Sequence, residues 1–182
     1  RITVISTGIG TDNIDIVLNE LDAVVNIDLE KREVRQELKS LDIIRVGTSG
    51  SINQNVPLDS FLLSEMSIGF DSLMHFYDSK GVEETEATQN FGFYGPQGRI
   101  LRLPLQDPEI NKKLASFEYK GLNITNMEME TAGIYGMSKL LGHRAISLNA
   151  IIANRITGEF SADPSEVVKK LISYALDRIV NV

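Results

Sequence analysis

Arg45, Thr48 and Ser49 stand together in "RVGTSGS", 45–51, at the end of an apolar run. A guanidinium, two hydroxyls and the backbone N–H groups of a small-residue turn are the donors that suit an oxyanion. The same residues also fit a tight strand-end turn whose arginine makes a structural ion pair. They do not form a serine-hydrolase elbow, because Gly-X-Ser-X-Gly around Ser49 needs a glycine where Ser51 stands.

A second group lies in "NFGFYGPQGR", 90–99. Gln97 and Arg99 beside Phe93 and Tyr94 can stack a planar ring and hydrogen-bond its edge, since a glutamine amide both donates and accepts. A rigid surface loop is the competing reading. A third group is "NMEMETAG", 126–133, with Glu128, Met129 and Glu130 near the expected start of a helix, where carboxylates are favoured. On a helix, residues two apart point about 200° from each other, so at most one of the two carboxylates is expected in a site. A lone carboxylate beside a methionine suits a sugar diol better than proton transfer.

The opening "STGIGTDN" has the look of a dinucleotide cradle, with Gly8 and Gly10 after a strand and the acidic Asp28 further on. The third glycine of that fingerprint is Asn13, and Asp28 belongs to a run of mixed charges. Dinucleotide binding is the weaker reading.

Other classes are excluded by composition. The 182 residues carry a net charge of −7, with a pI near 4.9, which argues against a nucleic-acid or membrane-surface partner. Without cysteine there is no disulfide, thiolate zinc site or cysteine nucleophile. His75 and His143 have no ligand-like spacing, so both are expected exposed or hydrogen-bonded. No apolar run reaches the roughly 20 residues of a membrane span, and a cytoplasmic protein is expected.

The elements that must position these residues read as an α/β chain. Ile2–Ser6 is an apolar, β-branched run expected as a buried strand. Ile14, Val17, Leu18 and Leu21 make one helix face, with Thr11 or Asp12 as its cap. The charge-dense 28–40 reads as a solvated excursion, while "LDIIRVGTSGS", "SFLLSEMSIGF" and "HRAISLNAIIANR" read as three more strands. Asn126–Leu141 is expected helical, ended by Gly142. The last helix is capped by Asp163, with Pro164 in its first turn and Glu166 in a capping box, and an apolar stripe of Val168, Leu171, Ile172, Ala175 and Ile179. Continuous apolar strands interleaved with helices predict an α/β sandwich with a central, mainly buried sheet, in a single domain over 1–182.

Taken in order, "STGIG", "RVGTSGS", "GFYGPQGR", "NMEMETAG" and "IIANR" resemble the nucleoside phosphorylase superfamily, uridine phosphorylase type, over nearly the whole chain. The resemblance implies a three-layer α/β/α sandwich around a central mixed sheet, and reversible phosphorolysis of uridine to uracil and ribose 1-phosphate. It implies inorganic phosphate as co-substrate, no metal or organic cofactor, and self-association to a dimer or hexamer. By motif, Arg45 and Thr48 hold phosphate, with Thr48 also near the ribose. Met129 packs on the sugar and Glu130 binds its hydroxyls, with Glu128 beside them. Phe93 lies against the base, Gln97 and Arg99 bond its edge, Ile152 and Ala153 line its pocket, and Arg155 stands behind. Relatives that cleave purines carry an aspartate near "IIANR", where this sequence has Ala153-Asn154-Arg155.

Two departures from the pattern carry expectations. The chain opens at Arg1 without the family's first strand and its Gly-Asp-Pro phosphate loop, as a fragment or trimmed chain would. The stretch from Tyr77 to Asn90 is too short for the family's helix and strand, so residues are expected to be missing between Asp78 and Val82. Alternatives on the same fold are a phosphorylase or hydrolase of another nucleoside, of purine or methylthioadenosine type, and an inactive nucleoside-binding homologue. An NAD-binding oxidoreductase is more distant.

Overall fold

A computed structural model describes residues 2–78 and 92–180. The expected gap between Asp78 and Val82 falls on residues outside those described.

Helix α1, Thr11–Asn26, starts where Gly10 (φ 91°) leaves extended backbone, and no side chain caps it, in place of the Thr11 or Asp12 cap expected. Ile14 and Leu18 form its buried stripe. The charge-dense stretch is an exposed hairpin of β1, Ile27–Asp28, and β2, Glu33–Val34. Next come β3, Asp42–Ser51, and the short β4, Phe61–Ser64. Two 3-10 turns, Leu73–Phe76 and Gly95–Gln97, lead to α2, Ile110–Ala115. A small hairpin of β5, Glu118–Tyr119, and β6, Leu122–Asn123, precedes β7, Asn126–Met127. The chain continues with α3, Thr131–Leu140, β8, Arg144–Asn154, β9, Glu159–Phe160, and α4, Pro164–Val180.

Among the described residues the main sheet runs β4-β8-β3-β7, with β9 on the end of β8. It is mixed: β3 and β8 are parallel, while β4 on β8 and β7 on β3 are antiparallel. The ladder between β3 and β8 slips once. Ser49 lies opposite Ile151 but Gly50 opposite Ala153, so Ile152 is an extra residue in β8. A bulge of this kind re-aims the side chains beyond it.

Helices cover both faces. On one, Ile14 and Leu18 of α1 and Ile134 and Met137 of α3 pack over Ile43 and Ala145. On the other, Val167 and Leu171 of α4 pack over Leu148, Ala150 and Ile152. These residues alternate along the strands, as period-two side chains in a sheet covered on both sides must. The α/β/α sandwich around a mixed sheet is as the resemblance implies. At the start of α4 the Asp163 carboxylate accepts the Glu166 N–H at 3.0 Å, and Gly142 ends the α3 segment at φ 76°.

Four local expectations are corrected. Ile2–Ser6 forms no ladder among the described residues, and Val4 is 87% exposed. A β-branched run becomes a strand only where a neighbour takes its N–H and C=O groups. Helix α3 begins at Thr131 rather than Asn126, because Asn126 and Met127 pair with Ser51 and Gly50. The strand expected over "SFLLSEMSIGF" stops at Ser64. The apolar stripe of α4 is centred on Val167, Leu171 and Ala175, and Ile172 is exposed.

Candidate active site

Every residue that the family resemblance places in the site borders one open cavity of about 430 Å3, which reaches both sides of the end of β3. Arg45, Glu128, Met129 and Glu130 border one end, Phe93, Gln97, Arg99, Ile152, Ala153 and Arg155 border the other, and Thr48 borders the cavity from the opposite face of β3.

At the first end Arg45 is the hub. Its Nη2 meets Glu130 Oε2 at 2.6 Å and Glu128 Oε2 at 3.1 Å. Its Nη1 donates to Asn149 Oδ1 at 2.6 Å and to Ser147 Oγ at 3.3 Å. The second Glu130 oxygen accepts the Gly10 N–H at 2.7 Å, so the opening Gly-X-Gly turn orients a carboxylate. Glu128 accepts the N–H groups of Glu130 and Thr131 at 2.9 and 3.0 Å, satisfying two donors at the start of α3. Burial pushes the Glu128 carboxyl above the usual range, against the pull of the Arg45 guanidinium.

Both carboxylates reach one guanidinium, which corrects the expectation that at most one could share a site. Glu128, Met129 and Glu130 precede α3, so the 200° helical separation does not apply to them. A second correction concerns "GTSG". It lies inside β3, where Gly47–Ser49 are in register with Asn149–Ile151, and it is not a strand-end turn. The Ser49 hydroxyl donates to the Met127 carbonyl at 2.8 Å and accepts from Asn126 at 2.7 Å, so it ties β7 down and is spent. Thr48 is exposed. It leaves the strand on the face opposite Arg45.

At the second end Gln97 is only 2% exposed, held by the 3-10 turn around it. The Arg155 guanidinium donates to both carbonyls of Gln97, the backbone one at 3.3 Å and the side-chain one by a short bond. Arg99 stacks on the Phe93 ring, 3.8 Å from its centroid, so the aromatic stretch holds a cation flat on its face. Burial lowers the Arg99 pKa, and burial together with the Arg99 charge lowers that of Arg155 to about 10. At this value Arg155 stays protonated at neutral pH. Among the described residues the cavity therefore has a cation with two carboxylates at one end and two cations without a counter-ion at the other.

No protein-family model matches the chain. Among curated relatives, it is 26% identical over 188 aligned positions to a uridine phosphorylase of Thermococcus kodakarensis, covering 87% of this chain and 60% of the relative. It is 25% identical over 169 positions to a DeoD-type purine nucleoside phosphorylase of Geobacillus stearothermophilus, covering 87% of this chain and 66% of that one. The structure superposes on a Trypanosoma brucei nucleoside phosphorylase described as showing uridine phosphorylase activity, with TM-score 0.82 and 24% identity, over 97% of this chain and 79% of the other. It also superposes on a Schistosoma mansoni uridine phosphorylase solved with uracil, with TM-score 0.65 and 22% identity, over 97% and 70%. The chain has the nucleoside phosphorylase fold. It spans 60% and 66% of the length of the two curated relatives.

Within this nucleoside phosphorylase fold, three supporting residues escaped the sequence reading. Ser147 and Asn149 are fully buried behind Arg45, and Thr131 Oγ1 lies 2.8 Å from Ser147 Oγ. The signal was present in "ISLNAII", where polar residues alternate with apolar ones inside a buried strand. Such residues must find partners, and an arginine at the paired position of the next strand supplies one. Arg45 is in register with Ser147. The histidines divide: His75 is exposed, while buried His143 accepts the Leu41 N–H at 3.2 Å.

Proposed function

We propose that the protein is a uridine phosphorylase, using inorganic phosphate to convert uridine reversibly to uracil and ribose 1-phosphate. One observation carries the reading: a single cavity holds the Arg45–Glu130 pair at one end and Gln97, Arg99 and Arg155 at the other. Phosphate sits by Arg45, and Glu130 binds the ribose hydroxyls beside Met129. A phosphate oxygen attacks C1′, the bond from C1′ to the ring nitrogen breaks, and its electron pair passes to the dioxo ring. Donors aimed at the ring carbonyls stabilise charge that develops in the transition state. Holding both reactants in one cavity adds the advantage of orientation. The reading needs no metal or organic cofactor, and it places the protein as a cytoplasmic homo-oligomer in pyrimidine salvage.

A purine-cleaving enzyme is the second reading, favoured by the DeoD-type relative. Against it, the stretch near which those relatives are expected to carry an aspartate reads Ala153-Asn154-Arg155, and the Asn154 amide is spent on backbone groups. The Asn154 amide donates to the Asn53 carbonyl at 3.1 Å and accepts the N–H groups of Ile156 and Thr157 at 3.0 and 3.2 Å.

Full-length protein is assayed with uridine, thymidine, inosine and adenosine, each with and without phosphate. Phosphate-dependent release of uracil is expected. Cleavage without phosphate points to a nucleosidase, and preferential cleavage of inosine or adenosine sinks the uridine reading.

A further inference from the structure

We propose that an oxyanion enters the Arg45 end of the cavity together with a proton, and that Glu128 takes that proton up from the solvent. The proposal rests on the reading of Arg45 as the phosphate ligand.

Arg45 has little left to give an anion as the site stands. Its Nη1 serves Asn149 and Ser147, and its Nη2 lies between the carboxylates of Glu130, at 2.6 Å, and Glu128, at 3.1 Å. The Nε–H is the donor without a partner among the described residues. An anion that grips two guanidinium nitrogens must therefore share Nη2 with a carboxylate or displace one. Charge points the same way. Among the described residues Arg45 is the cation at this end of the cavity, against two carboxylates, and all three side chains are at most 12% exposed. A dianion arriving there meets a net negative cluster that little water screens. A proton on one carboxylate relieves the repulsion.

The contacts single out Glu128. Each Glu130 oxygen already meets a donor, the Gly10 N–H and Arg45, so a proton there breaks a contact. On Glu128, Arg45 and the Glu130 N–H both meet Oε2, while Oε1 meets only the Thr131 N–H, at 3.1 Å and shared with Oε2. Oε1 has room for a proton, and the carboxyl then donates as well as accepts. Burial already favours this neutral form, against the Arg45 charge, and the Glu130 charge on its own segment adds to it. Tyr135 on α3 also faces Glu128, and its hydroxyl donates to the Ser64 carbonyl at 2.6 Å. Glu65, after β4, borders the smaller cavity that Glu128 borders on its other side.

Sodium sulfate is titrated calorimetrically into full-length wild-type protein, in pairs of buffers of different ionisation enthalpy, from the glutamate range to above neutrality. Sulfate keeps its charge throughout, so protons taken up belong to the protein. Uptake approaching about one proton per anion is expected over part of this range, with Kd there rising about tenfold per pH unit. Glu128→Gln resembles the protonated acid. It should take up no proton, bind sulfate with little dependence on pH, and bind it about tenfold tighter than wild type at the alkaline end. The same difference between wild type and variant is expected with inorganic phosphate, and reads the proposal should sulfate not bind. If the variant does not fold, an infrared difference spectrum of wild type with and without sulfate should show the carbonyl stretch of a newly protonated carboxyl, and its absence overturns the proposal. Anion binding without uptake at every pH overturns the proposal alone, as does uptake that survives in Glu128→Gln. Wild-type protein that binds neither anion overturns Arg45 as the anion ligand, and the phosphorylase reading with it.

Discussion

The Arg45 guanidinium lies flat against Gly47, where a Cβ would come within 2.6 Å of its central carbon. The atom displaced by Gly47→Ala is the far end of a flexible side chain, so the strand can accept the methyl and Arg45 must leave its place beside Glu130. The expected outcome is a rise of about tenfold or more in KM for phosphate, with a loss of about 1–3 kcal/mol in unfolding free energy as buried Glu128, Ser147 and Asn149 lose their shared partner. Steady-state kinetics and urea titration of one preparation check both halves. An unchanged phosphate KM counts against Arg45 as the anion ligand.

Glu130 is held between the Gly10 N–H and the Arg45 guanidinium, which turns it toward the cavity. If it binds the ribose hydroxyls, Glu130→Ala lowers kcat/KM for uridine about 100-fold or more, and distinctly less for 2′-deoxyuridine, which has one hydroxyl fewer to lose. Equal losses on the two substrates would assign Glu130 to holding Arg45 rather than the sugar.

Glu128 makes a prediction in pH. Burial raises its pKa in the folded chain, so the folded state holds the proton more tightly than the unfolded state. Its contribution to stability is therefore complete below the ordinary glutamate range and is lost as pH rises through the raised value. Glu128→Gln, which cannot ionise, should flatten that decline. Urea midpoints measured from the acid side of the glutamate range to neutrality give the slope, and equal slopes in variant and wild type assign the effect to another group.

On the far face, Leu171 is fully buried against Ala150. Leu171→Ala should cost about 2–5 kcal/mol, because the strands beneath α4 cannot close the cavity. Chemical denaturation should show a lower midpoint at unchanged m, and a loss under about 1 kcal/mol would mean that α4 resettles on the sheet.

Since the sheet brings the ends of β3 and β8 together from distant parts of the chain, the ordered motifs were enough to gather the residues that border the cavity, though not Ser147, Asn149 and Thr131 behind them. The geometry at each motif was less legible. Glu128 and Glu130 look incompatible on a helix and become neighbours only because β7 pairs with β3 and delays α3. "GTSG" has the composition of a turn, yet β8 and β7 hold it extended. Tertiary pairing overrides local preference at both places. Asn149 went unread because its partner, Arg45, lies 104 residues away.

Gly47 and Gly50 each bed a guanidinium, one for either end of the cavity. They stand three residues apart on β3, roughly 10 Å at the rise of an extended strand. A peptide backbone does not stretch, so the strand acts as a gauge for whatever is gripped at both ends. Nor can the gauge be reset by small steps. One residue added between the glycines would turn a guanidinium to the opposite face, so a ligand of different length calls for a different strand rather than a few altered side chains.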